Sequence, residues 1–155
     1  PRWVRRMNAA YLHLLTSHAP VCAVVFGLLL WALGGCWRGP DFRRAALVLF
    51  VLAGLLSGPA YLSGAPARRA LAARTDWDAR AAEQHEEVAA LALGATLALT
   101  AVAGFALFRL ARASQWPRGL SGLLLGLALL SGATLVWTSG LGGRVRHVEL
   151  RQPMR

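Results

Sequence analysis

The chain has 155 residues, of which 56% are hydrophobic and only 15% charged, and its mean hydropathy is +0.46. A soluble domain of this size cannot cover so much apolar surface with so few charges, so an ordinary soluble fold is excluded. The net charge of +10 is carried by arginine alone, in short clusters between long uncharged runs. Nucleic acid is excluded with it, because a binder would gather its basic residues on one polar face with interleaved aromatics.

Uncharged runs stretch between Arg6 and Arg38, Arg44 and Arg68, Glu87 and Arg109, and Arg118 and Arg144. Each exceeds the roughly 20 residues that cross a hydrocarbon core of about 30 Å. The expected fold is all-α: one integral membrane domain over 1–155, a bundle of four spans at about 9–36, 42–64, 85–109 and 119–142.

The first run follows Arg2, Arg5 and Arg6, as a signal peptide would. The apolar stretch from Ala19 to Trp37 is longer than an h-region of about 7–15 residues, so it is read as a retained span. Met7 is a candidate natural start, with the preceding residues an upstream extension. Pro20 removes a backbone donor and is expected to bend this helix just inside His18. Cys22 and Cys36 both fall in the first span, about 21 Å apart at helical rise, and cannot bridge each other. "RGPDFRR" is a tight basic turn, and the second span after it is expected to break near "SGPAYLSG".

"APARRALAARTDWDARAAEQHEE" is the one sizeable polar stretch, and its spacing suggests a short interfacial helix between spans two and three. "RLARASQWPRG" makes a second basic turn before the fourth span, and the polar tail "GGRVRHVELRQPMR" closes the chain. Gly54 with Gly58, and Gly122 with Gly126, form GxxxG pairs, expected to bring helices close within the bundle. Trp31, Trp37, Trp116 and Trp137 fall near span ends, as an aromatic belt does.

Four crossings put the starts of spans one and three and the ends of two and four on one side. His13 and His18, His85 and His147 all belong to that side. Neutral imidazole offers a lone pair to haem iron, zinc or copper, so these four are the candidate cofactor-binding residues. His13 and His18 are five apart and point about 140° from each other, so each needs a partner from another element. The preferred axial pair for a b-type haem iron is His18 with His85, and His13 with His147 is a second. The plainer reading is that such histidines bond water, lipid headgroups or a neighbouring carboxylate. Glu83, Glu86 and Glu87 around His85 suit a helix start without any ligand. They lack the second Glu-x-x-His that a di-iron site needs. Cys22 stands one turn beyond His18 and is expected to be a small buried hydrophobe rather than a soft-metal ligand.

"LHLLTSHAPV" at Leu12 to Val21, "EQHEE" at Glu83 to Glu87 and "LGGRVRHVEL" at Leu141 to Leu150 resemble a family of uncharacterised four-helix bacterial membrane proteins, as does "PAYLSGAPA" at Pro59 to Ala67. The likeness runs from about Met7 to Arg151. It implies a multi-pass membrane protein and directs attention to the histidine side, but implies no reaction.

No serine nucleophile motif, P-loop or dinucleotide fingerprint is present, which argues against a stand-alone enzyme. The leading expectation is an electron-transfer subunit holding b-type haem near one face of a bacterial inner membrane. The alternatives are a cofactor-free accessory subunit of a larger respiratory or photosynthetic complex, and a histidine-lined copper or zinc site. Expected partners are the lipid bilayer and other membrane subunits. Compact basic turns carrying Arg38, Arg43, Arg44, Arg109, Arg112 and Arg118 are expected in the cytoplasm, with the histidines at the outer face.

Overall fold

The computed structural model describes residues 9–37, 40–72, 78–113 and 119–146. They form four helices and no strand: α1 (Ala9–Cys36), α2 (Pro40–Leu71), α3 (Ala79–Ala113) and α4 (Leu120–Arg146). Each is long and apolar enough to cross a membrane. The fold is an all-α, four-helix membrane bundle.

The helices bury a seam that repeats every seven residues. On α2 it runs through Ala46, Ala53, Ala60 and Ala67, with Leu47, Phe50 and Ser57 between them. On α3 it runs through Ala92, Leu99 and Ala106, with Thr96 and Ala103. A 3.5-residue repeat keeps one face of each helix on its neighbours and gives left-handed bundle packing. The large apolar side chains that remain, such as Leu55, Leu62, Leu91, Phe105 and Val136, are exposed. In water this surface would drive aggregation; a bilayer covers it.

Most of the packing of α1 is against α2, and most of that of α4 is against α3. The α2–α3 contact joins these two hairpins, and α1 also meets α4 over a shorter seam. Ala residues on facing seams let helices approach closely, and the glycines mark where approach is closest. A Cβ on Gly27 would lie 2.5 Å from Cε1 of Phe50, and one on Gly54 would collide with Oγ1 of Thr100. That hydroxyl crosses from α3 to donate to the Phe50 carbonyl on α2 at 3.0 Å.

Three expectations need correction. Gly58, Gly122 and Gly126 have nothing within 4 Å of a built Cβ, so of the two GxxxG pairs only Gly54 lies in a close contact. The second helix does not break at "SGPAYLSG": α2 continues through Pro59 and Pro66 to Leu71. Each proline removes one donor, while the burial of Ala60 and Ala67 beside them keeps the helix aligned on the bundle. Among the described residues there is also no separate interfacial helix, because Ala65 to Leu71 extend α2 and Ala79 to Glu87 begin α3. The Asp78 carboxylate, accepting from Ala81 N–H at 3.0 Å, caps that start.

Candidate functional site

The site lies where the start of α1, the end of α2, the start of α3 and the end of α4 converge. His13 continues the inward seam of α1, seven residues ahead of Pro20, which is followed at the same step by Gly27 and Gly34, all three buried. His85 continues the seam of α3, seven residues ahead of Ala92. Register therefore turns both rings toward the bundle axis. They meet across its diagonal with ring centroids 6.2 Å apart and planes at 85°.

The other two helices hold the rings in place. His13 Nδ1–H donates to the Ala60 carbonyl and to Ser63 Oγ on α2, both at 3.0 Å. Ser63 Oγ in turn donates to the Ala60 carbonyl at 2.8 Å. His85 Nδ1–H donates to the Thr138 carbonyl on α4 at 2.9 Å. A carbonyl can only accept, so the proton of each neutral ring sits on Nδ1 and the lone pair sits on Nε2. Among the described residues neither Nε2 takes a hydrogen bond. Gly142 keeps the space beside His85 open, since a Cβ there would lie 3.2 Å from Cε1 of the ring. Gly64 stands beside His13 at a looser 3.6 Å.

His18 is not brought to this cluster. Five residues from His13, its ring is exposed, and Nδ1–H donates to the Leu14 carbonyl of its own helix at 2.8 Å. The ring facing His85 is that of His13, in place of the expected His18. His147, the expected partner of His13, lies outside the described residues. Glu83, Glu86 and Glu87 are exposed, and Glu86 pairs with Arg68 at the end of α2. Cys22 is exposed, contrary to the expectation of a buried hydrophobe.

Chemically the cluster offers, among the described residues, two nitrogen donors. Among the described residues no three His, Cys, Asp or Glu side chains converge. With metal–nitrogen bonds of about 2.0 Å, imidazoles on opposite sides of one ion have centroids about 6.3 Å apart, and at a tetrahedral angle about 5 Å. The observed centroid separation of 6.2 Å is close to the first of these values. The chain does place His13 in one seven-residue register with Pro20, Gly27 and Gly34, but the direction in which that face turns is set by the packing. Comparisons with protein-family models, curated proteins and solved structures find no match to this chain.

Proposed function

We propose that the protein is an electron-transfer subunit of the bacterial cytoplasmic membrane that would hold a b-type haem near one membrane face through His13 and His85. The supporting observation is the His13–His85 pair, 6.2 Å between ring centroids, with both Nδ1–H groups committed to backbone carbonyls. Two imidazole donors, with no third ligand beside them among the described residues, would suit a metal whose other positions are filled by a planar macrocycle. A zinc or copper ion held by protein alone would need more donors in the cluster.

The residues around the pair fit such a group. Donation of Nδ1–H to a carbonyl fixes the tautomer, orients the ring and raises the basicity of Nε2. Ala60, Ser63 and Gly64 on α2, and Thr138 and Gly142 on α4, are the small residues beside the pair. Bound there, haem would supply one-electron redox chemistry. The chain's part is to hold the two imidazoles and to keep bulk away from them.

The test is an absorption spectrum of protein expressed with haem supplied, oxidised and then reduced. A low-spin spectrum with a sharp band on reduction is expected, and His13→Ala and His85→Ala should each abolish it or turn it high-spin. His18→Ala should leave it unchanged. A folded, colourless, iron-free protein overturns the proposal and leaves the accessory-subunit reading in its place.

A further inference from the structure

The outward face of α1 carries a histidine and a cysteine, side chains of the kind that ligate metals. His18 and Cys22 are both exposed and stand four residues apart, the spacing that places two ligands on one helix face within reach of one ion. His18 commits its Nδ1–H to the Leu14 carbonyl at 2.8 Å, which leaves the lone pair on Nε2. This is the state in which ligating histidines are held, with the second nitrogen bonded to a carbonyl. Among the described residues no third ligand joins them, and a four-coordinate site would need two more.

We propose that the other half comes from a second copy, and that two His18 imidazoles and two Cys22 thiolates hold one Zn²⁺ between a parallel pair of α1 helices. An imidazole and a thiolate from each chain make the tetrahedral N₂S₂ set that zinc favours over harder cations. A second copy is the occupant that matches this half-site. All copies share one orientation in the membrane, so the same two residues stand at the same depth, and a two-fold axis along the membrane normal brings them together. The stripe has the packing register for such a pair. Leu15, His18, Cys22, Val25 and Leu29 follow at alternating steps of three and four residues, all exposed, and Cys36 ends the stripe two heptads beyond Cys22. Zinc binding displaces the thiol proton of each Cys22 to solvent and leaves the cysteine oxidation state unchanged. The site lies about 140° around α1 from His13 and does not depend on haem.

The test uses the full chain in detergent, with zinc and then with Co²⁺ in its place. Metal analysis should find about half an equivalent of zinc per chain, as a two-fold site requires. The cobalt form should show thiolate-to-metal absorption that disappears in both Cys22→Ser and His18→Ala. Light scattering should show a dimer that a chelator converts to monomer, while Cys36→Ser keeps both the metal and the dimer. Should His18→Ala fail to fold, Cys22→Ser, which nearly preserves volume, carries the comparison. A zinc-free protein, a full equivalent per chain, a cobalt–thiolate band that survives Cys22→Ser, or a zinc-bound monomer each overturns the proposal. A haem spectrum unchanged in His18→Ala keeps this site separate from the His13–His85 pair.

Discussion

Five residues separate His13 from His18, and that step of about 140° divides their roles. His13 is tied to Ala60 and Ser63 inside the bundle, whereas His18 is tied only to its own helix and faces outward. The same reasoning predicts how the glycines beside the rings respond. Gly142→Val places a Cβ 3.2 Å from the His85 ring and adds two methyl groups beyond it, so the ring must move off its Thr138 bond. If the pair holds the proposed haem, its occupancy, read as reduced-band absorbance per mole of protein, should fall several-fold while helicity by circular dichroism is retained. Gly64→Ala meets His13 at an ordinary 3.6 Å and should leave occupancy nearly unchanged. Equal loss in both variants would remove Gly142 as the residue that leaves His85 its space.

Between elements, the α2–α3 seam is closest where Gly54 meets Thr100 and the threonine hydroxyl reaches the Phe50 carbonyl. Thr100→Val removes that bond but keeps the volume, and should cost about 0.6 kcal/mol and at most about 1.7, the range measured for interhelical bonds within membranes. Gly54→Leu forces the two helices apart and should cost more than the 1–3 kcal/mol typical of overpacking. Gly126→Leu faces open space and should lie within about 0.5 kcal/mol of the parent. Thermal or denaturant unfolding in detergent micelles checks the order Gly54 over Thr100 over Gly126. A Gly126→Leu as damaging as Gly54→Leu would mean that α4 packs against something on its outer face.

At the scale of the molecule, four antiparallel helices assign every turn to a side. The contact of Gly34 with Arg43 closes α1 on α2 at one end, and the pairing of Arg68 with Glu86 closes α2 on α3 at the other. Cysteines introduced at Asp41 and Asp78, in a background with Cys22 and Cys36 changed to serine, should therefore label from opposite membrane faces. Labelling of both from one face in sealed vesicles would contradict the four-span topology. The Asp78 variant also loses the cap of α3, at about 1 kcal/mol, so it should be compared with Asp78→Asn for stability.

Fold class was legible in the chain because a bilayer imposes a one-dimensional rule. Each crossing must be apolar for about 30 Å and must satisfy its backbone internally, so charge-free runs between arginine clusters read directly as helices. The same rule placed His13, His18 and His85 at one end, since connectivity alone assigns ends to sides. Helix continuity through Pro59 and Pro66 was not legible, because a proline's local cost is overruled by the packing of Ala60 and Ala67 against neighbouring helices. Nor was the role of the glycines: Gly54 and Gly58 look alike in sequence, and only the position of α3 makes one a contact and the other open. Pairing within the histidine cluster was decided in the same way. Periodicity says which residues share a face, but the azimuth of that face, toward the axis for His13 and toward the surroundings for His18 and Cys22, is set by how four helices rotate to bury their small-residue seams together.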